Sequence, residues 1–272
     1  MASIHSTALV DPAAQLADDV EVGPYSIIGP DVSIDAGCRI GPHVVITGRT
    51  RIGRDNRIFQ FASLGDEPQD KKYAGEDTEL IIGDGNTIRE LGTFNRGTAQ
   101  GGGKTVIGND NWIMTAVHIA HDCIVGNHTI MANNASLAGH VTVRDWAILG
   151  GYALVHQFCE IGEHSFTSFA SHVNQSVPPF VTVAGEKASA KGINTEGLKR
   201  RGYTSEQIQS IRRAYKVLYR SGLRLEEARA KLQEMAEEWP GWRSQSEKDH
   251  VYGQFDEARE IYRDFRSEAE SR

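Results

Sequence analysis

Six histidines fall between residues 118 and 164 of this 272-residue chain: His118, His121, His128, His140, His156 and His164. Two sets of residues spaced 18 apart run through them, His121 with Gly139 and Gln157, and Asp122 with His140 and Phe158. If residues at that spacing stack, one spot gathers an imidazole, a carboxylate, a side-chain amide and a glycine whose N–H a reacting oxygen can approach. Those are the parts of a base-assisted acyl transfer. A histidine takes the proton of an attacking hydroxyl, a carboxylate or backbone carbonyl fixes its tautomer, and a backbone N–H one layer away binds the oxyanion. The acceptor hydroxyl attacks directly, so no serine or cysteine in triad geometry is required. A lone turn histidine is ordinarily just a partner for nearby backbone. Clustering is what gives weight to His121 and His140.

The element that would stack residues in this way is visible as a repeat. Stepping by six from Ile4 meets Val10, Leu16, Val22, Ile28, Ile34, Ile40, Ile46, Ile52, Ile58 and Leu64, all aliphatic. A second run, shifted by one residue, goes from Ile107 through Ile113, Ile119, Val125, Met131, Leu137, Val143, Leu149 and Val155 to Ile161. Strands alternate with period two and helices with period 3.6, so an aliphatic at every sixth residue fits neither a hairpin sheet nor a helical bundle. It fits short strands joined by turns. Three repeats make a coil of 18 residues that pairs with the next like parallel strands, about 4.8 Å along, with the aliphatics inside. Gly23, Gly29, Gly41, Gly53 and Gly65 directly follow repeat aliphatics, where the reading expects bends with unusual dihedrals.

Two breaks interrupt the ladder. The stretch DEPQDKKYAGEDTE, 66–79, would put Asp70 and Glu76 inward, which a packed core rejects, so it is expected as an extruded loop. The stretch GTAQGGGKT, 97–105, covers the shift of phase and is expected as a second loop. Its GGGKT invites a phosphate-loop reading, but the first glycine of that motif would fall at Thr98, and no buried strand and helix flank it. After Pro178-Pro179 the spacing turns helical. Thr204 and Gln207 form a capping box ahead of Ile208, Ile211, Tyr215, Leu218 and Tyr219, and Gly222 stands where that helix should stop. Further helical patterns cover Leu225 to Ala236 and Phe255 to Phe265. The expectation is a mainly β chain with a β-helix over 1–185, loops near 66–80 and 97–105, and a small C-terminal α-helical domain over 186–272.

Composition excludes several classes. The net charge of −7 disfavours general nucleic-acid binding. No apolar run approaches the roughly 18 residues of a membrane span, and the N-terminus lacks a basic region followed by an apolar one. Cys38, Cys123 and Cys159 are odd in number and without a CxxC pair, which fits a reducing, cytoplasmic setting and argues against a thiolate zinc site. Between Lys199 and Arg224 the basic residues Lys199, Arg200, Arg201, Arg212, Arg213, Lys216, Arg220 and Arg224 face only one acid, Glu206. They read either as a solvated helix face or as a surface for something acidic, a phosphate-bearing substrate or a carrier protein.

Particular motifs carry a resemblance. HIAHDC (118–123), NNASLAGHV (133–141), GGYALVHQFC (150–159), VPPFV (177–181), GINTEGLKRRGY (192–203) and FASLGDEPQDKKYAGE (61–76) resemble the UDP-N-acetylglucosamine O-acyltransferases, which open lipid A synthesis. The match runs from Ile4 to about Leu223, both loops included. It implies a left-handed parallel β-helix of hexapeptide repeats, a homotrimer, and transfer of a 3-hydroxyacyl chain to the glucosamine 3-hydroxyl of UDP-N-acetylglucosamine. The donor is an acyl carrier protein, whose phosphopantetheine holds the chain. No metal or other cofactor is implied. By the same resemblance His121 is the general base, Asp122 its orienting carboxylate and Gly139 the oxyanion donor. Asp70 and Lys72 resemble sugar-binding residues; His118, His140, His156 and Gln157 resemble groups lining the sugar and acyl sites; Asn194, Glu196, Arg200 and Arg201 resemble the uridine-diphosphate contacts. A planar arginine fork suits a diphosphate.

Two positions depart from the family pattern. Asn95 stands where many members have histidine, and Phe169 where the long-chain enzymes have glycine to keep the acyl groove open. A ring at 169 implies a shorter 3-hydroxyacyl chain. Other readings remain at this point. The acceptor could be the amine of a 3-amino sugar. The related N-acyltransferase of the next amine normally carries an extra N-terminal domain, whereas here the coil starts at Ile4. A γ-class carbonic anhydrase shares the coil and binds zinc through histidines, but at a different spacing from His118 and His121. A non-catalytic β-helix predicts regular coils without extruded loops or clustered histidines.

Overall fold

The structure, a computed structural model, describes residues 1–238. Short strands, mostly of two residues, stack into three sheets. Among the described residues sheet one has eleven strands, from Ser3–Ile4 through Phe166–Thr167 to Val181–Ala184 and Ser189–Ile193. Sheet two has nine, from Leu9–Val10 to His172–Val173, and sheet three has eight, from Gln15–Leu16 to Glu160–Ile161. The chain visits sheets one, two and three in turn, and partners lie one coil apart: Ser3 with Glu21, His118 with Ser136, Ile124 with Thr142, all parallel. The fold is the β-helix that the six-residue repeat requires. In each strand one side chain points out and the next points in, so Ile27 is 42% exposed and Ile28 1%. Ile4, on the first coil with no neighbour beneath, is 45% exposed.

Both breaks in the repeat leave the same edge of the prism, the one joining sheet two to sheet three. The first lies between Ser63–Asp66 and Glu79–Ile82, the second between Thr93–Asn95 and Lys104–Ile107. Ile58 consequently pairs with Ile88 and Ile88 with Ile113. The first loop adds two whole repeats to the coil, and the second adds one repeat plus one residue, which is the origin of the phase shift.

Of the glycines after repeat aliphatics, Gly23, Gly41 and Gly53 serve another purpose than the bends expected there. Left-handed backbone occurs further on, at Tyr25, His43, Asp55, Asp122, His140 and Phe158, with φ between 55° and 65°. Of the five glycines only Gly65 has a positive φ, 79°. A Cβ on Gly23 would lie 2.8 Å from the backbone of Gly41 and Pro42, and one on Gly53 would lie 2.9 Å from that of Gly83. These positions need glycine because successive coils touch there. The strained corners hold ordinary side chains because coil-to-coil hydrogen bonds over-determine their conformation.

On the edge between sheets three and one, buried amides form an internal ladder. Asn86 Nδ2 donates to Asn56 Oδ1 at 3.0 Å, Asn111 N–H donates to Asn86 Oδ1 at 2.9 Å, and Asn111 Oδ1 accepts from both N–H and Oγ1–H of Thr129 at 2.7 Å. Each rung satisfies backbone that the turn leaves unpaired. Asn111→Ala strands the Thr129 donors and the Gly126 carbonyl, and should cost about 1–3 kcal/mol, read as a lowered denaturant midpoint with an unchanged slope.

Beyond the last coil, Val181–Ala184 and Ser189–Ile193 pair antiparallel, so sheet one continues past residue 185. Among the described residues three α-helices follow: α1 (Thr195–Arg200), α2 (Ser205–Arg220) and α3 (Leu225–Glu238). The Thr204/Gln207 capping box is formed, and Gly222, with φ 73°, follows the end of α2. Phe180, Leu198, Ile208, Ile211, Ala214 and Leu232 make a second small core that fixes these helices to the prism. The helical pattern of Phe255 to Phe265 lies outside the described residues. No helix of the described residues is long and apolar enough to cross a membrane.

Candidate active site

The edge between sheets two and three collects His121, Asp122, Gly139, His140, His156 and Gln157, together with both extruded loops. The 18-residue arithmetic holds for His121 with Gly139 and for His140 with Phe158. A Cβ on Gly139 would lie 2.5 Å from Cε1 and 2.8 Å from Nε2 of His121, so the imidazole lies directly over a position that has to be glycine. In the neighbouring column the rings of His140 and Phe158 stack at 4.6 Å, and His140 meets His121 edge-on at 5.1 Å.

His121 Nδ1 is 2.8 Å from Asp122 Oδ2. Because the carboxylate accepts, Nδ1 carries the hydrogen and the Nε2 lone pair faces outward. The Asp122 side chain is fully shielded from solvent, and that of His121 is 15% exposed. Thr98 supplies the aspartate with two donors, its N–H to Oδ1 at 2.8 Å and its Oγ1–H to Oδ2 at 2.6 Å. Asp122's own N–H donates to Thr105 Oγ1 at 2.8 Å, holding the left-handed backbone that turns the side chain inward. Neither threonine stood among the sequence candidates. The cue was the GTAQGGGKT stretch itself, which contains both.

Other candidates surround this pair. His118, on sheet two, bonds through Nδ1 to Thr93 Oγ1 at 2.8 Å, and burial holds its pKa below the usual histidine range. His156 is exposed, its Nδ1 3.1 Å from the Gln157 carbonyl. Asp70 and Lys72 lie in the first loop, where Lys72 N–H donates to Asp70 Oδ1 at 3.0 Å. That loop is braced by Arg96, which donates to the Gly65 carbonyl at 2.6 Å and to the Tyr73 hydroxyl at 2.9 Å. Asn95 ties its root, Nδ2 donating to the Glu67 carbonyl at 2.8 Å, while Asn95 Oδ1 is buried without a partner. The position that departs from the family pattern therefore acts on the loop that carries Asp70.

His121, Asp122 and His140 also form a group whose potential metal-ligating atoms lie within 4.8 Å of one another. A cation there would compete with Thr98 and His121 for the same carboxylate oxygens. Thiol chemistry finds no support at the cysteines. Burial pushes the Cys123 thiol up to about 12 and Cys159 up to about 11, far from the thiolate range at neutral pH.

Asn194, Glu196, Arg200 and Arg201 gather elsewhere, on the edge between sheets three and one. They line a cavity of about 660 Å³ with His128, Trp146 and the outward side chains Ile130, Ile148, Phe166 and Thr182 of sheet one. The rings of His128 and Trp146 stack at 4.1 Å, and Arg201 lies over Trp146 at 5.2 Å from the ring centre. Arg201 also donates to the Trp146 carbonyl at 2.8 Å and to His164 Nδ1 at 3.1 Å. Burial pulls its pKa below the usual arginine value. Asn194 caps α1 by accepting from Gly197 N–H at 3.1 Å, and its Nδ2 donates to the His164 carbonyl at 2.9 Å. Exposed Arg200 stands at the mouth, and Glu196 pairs with Lys199 at 3.0 Å. His164, buried between Trp146 and Phe180, thus positions two of these four residues. A lone histidine in a turn gave the sequence no sign of that role.

Comparison with known proteins places the chain. Residues 13–48 and 104–139 match the bacterial transferase hexapeptide model, and 177–249 match the second domain of UDP-N-acetylglucosamine O-acyltransferase. The acyl-[acyl-carrier-protein]--UDP-N-acetylglucosamine O-acyltransferase of Herminiimonas arsenicoxydans is 66% identical over 238 residues, 88% of this chain and 90% of the relative. Its counterpart in Thiobacillus denitrificans is 65% identical over 232 residues, 85% of this chain and 90% of the relative. The solved UDP-N-acetylglucosamine acyltransferase of Francisella novicida superposes with a TM-score of 0.86 at 44% identity, covering 93% of this chain and 89% of that one. The enzyme of Moraxella catarrhalis gives 0.87 at 42%, covering 93% and 96%. These matches replace the carbonic-anhydrase and non-catalytic readings. With its three-sheet coil, both loops and the helical appendage accounted for, the chain belongs to the acyl-[acyl-carrier-protein]--UDP-N-acetylglucosamine O-acyltransferase family.

Proposed function

We propose that this protein transfers a 3-hydroxyacyl chain from acyl carrier protein to the glucosamine 3-hydroxyl of UDP-N-acetylglucosamine, opening lipid A synthesis in the cytoplasm. The observation that carries the reading is the buried Asp122 oriented on His121, whose ring lies over Gly139. His121 Nε2 takes the proton of the 3-hydroxyl as its oxygen attacks the thioester carbonyl. The Gly139 N–H, which donates to no acceptor among the described residues, stabilises the tetrahedral oxyanion. Collapse expels the phosphopantetheine thiolate, which takes the proton back from the imidazole. The ester forms, the thioester breaks, and the base is regenerated.

The working enzyme in this proposal is a homotrimer. His121 projects from the edge between sheets two and three, whereas the cavity holding Arg200 opens on the sheet-one side of a different edge. A nucleotide sugar touching both is then shared between neighbouring chains packed around a threefold axis. The basic face of α2, with Arg212, Arg213 and Lys216, suits the acidic surface of a carrier protein.

Acyl-chain length falls to Phe169 in this reading. It is 71% exposed, packs on Tyr152 at 5.7 Å, and stands on the other edge of sheet two from His121. The separation along the axis is about 13 Å, at the coil spacing. An assay with UDP-N-acetylglucosamine, its 3-amino analogue and a series of 3-hydroxyacyl carrier proteins tests the whole proposal. It should show O-transfer with a preference for shorter chains, and kcat/KM in Phe169→Gly should peak at a longer donor. The same peak in both proteins removes Phe169 from this role.

A further inference from the structure

The second loop leaves a feature that acyl transfer by His121 does not explain. Asp122 Oδ2 is shared by two imidazoles: His121 Nδ1 at 2.8 Å and His140 Nε2 at 3.8 Å. A carboxylate free to turn about its last bond could serve either. Thr98 grips both oxygens, N–H on Oδ1 and Oγ1–H on Oδ2, which fixes the carboxylate plane. Thr98 is itself 3% exposed and lies 24 residues before Asp122. Its own carbonyl accepts from Gly101 N–H at 3.1 Å and Gly103 N–H at 2.9 Å, closing the loop on itself. The Gly103 carbonyl then accepts from Glu79 N–H at 2.8 Å, which anchors the loop where the first loop rejoins the prism.

Gly101 completes the enclosure. A Cβ there would lie 2.1 to 2.3 Å from Cγ, Oδ1 and Oδ2 of Asp122, so bare backbone presses against the carboxylate and leaves no room for a water in its place. The glycine run that imitates a phosphate loop is thus shaped around a carboxylate belonging to the protein itself.

We propose that Thr98 is a positioning residue for the reaction and that Gly101 seals it in place: together they lock the Asp122 carboxylate on His121 rather than on His140. The inference rests on the acyl-transfer reading above. Without the Oγ1–H, Oδ2 loses its shortest donor and the carboxylate can turn toward His140, leaving the tautomer and ring angle of His121 unset. Chemistry should suffer while nucleotide binding, which depends on the distant Arg200 edge, should not.

The test is steady-state kinetics of the full chain with acyl carrier protein thioester and UDP-N-acetylglucosamine. Thr98→Val should lower kcat about 10- to 100-fold, the range for groups that orient a reacting residue from outside, with KM for the nucleotide sugar within twofold. Thr98→Ser, which keeps both donors, should recover most of the rate. Gly101→Ala keeps Thr98 intact but crowds the carboxylate, and should show the same kcat defect. In an Asp122→Ala background Thr98→Val should add nothing, because both changes break one unit. Wild-type kcat in Thr98→Val beside an inactive His121→Ala overturns this proposal alone, as does a Thr98→Val defect that persists undiminished without Asp122. A fully active His121→Ala instead overturns the acyl-transfer reading on which it rests.

Discussion

His121→Ala lowers kcat by about 10²- to 10⁴-fold, the usual contribution of a positioned general base, and leaves KM for UDP-N-acetylglucosamine nearly unchanged. The reason lies in the separation of roles. The imidazole sits over Gly139 on the prism edge, outside the aliphatic core, and its one strong bond is to Asp122. Removing it leaves the coil packing and the Arg200 edge as they were, so under the proposed mechanism folding and nucleotide binding should persist while the 3-hydroxyl keeps its proton. The measurement is acyl transfer at saturating donor, with the thermal midpoint as the check on folding. Wild-type turnover in this variant rules out His121 as the base.

Mixing two crippled variants restores activity. In the proposed function Arg200 supplies a charged contact to the diphosphate, worth about 1.5–3 kcal/mol, so Arg200→Ala alone should raise KM for the nucleotide about 10- to 100-fold. His121→Ala alone should retain at most about a hundredth of the wild-type rate. When the two chains are co-expressed at equal levels and a site takes His121 from one chain and Arg200 from its neighbour, about a quarter of the sites in a ring of three are intact by chance. The preparation should therefore reach about a quarter of wild-type rate at low nucleotide concentration. Rates no higher than the average of the two separate proteins mean that each chain holds a complete site, and the shared-cleft proposal fails.

Much of this was legible before any coordinates, for a simple physical reason. In a coil of fixed length, a side chain's neighbours above and below follow from counting. That rule placed Gly139 under His121 and Phe158 under His140. It also marked 66–79 as a departure, since a charge at an inward position cannot be buried alone, and 97–105 because the phase of the repeat shifts by one residue there. Motif resemblance added the family and with it Phe169 and Arg200, which no periodicity singles out.

Counting stops where the coil does. Thr98 reaches Asp122 through a loop whose length breaks the repeat, so no fixed offset relates them. Gly23 and Gly53 looked like bends but mark contacts between coils, because close approach of two backbones is a property of the stack and not of the local chain. Resemblance set Arg201 among the diphosphate contacts, but gave no sign that its guanidinium is held by Trp146 and His164, residues 55 and 37 positions away. The sequence by itself determined the prism, its aliphatic core and the column in which His121 stands, since these depend on spacing alone. Only the tertiary structure showed how Thr98 holds the buried carboxylate and which edge Arg200 joins, since both depend on contacts that irregular segments make across the fold.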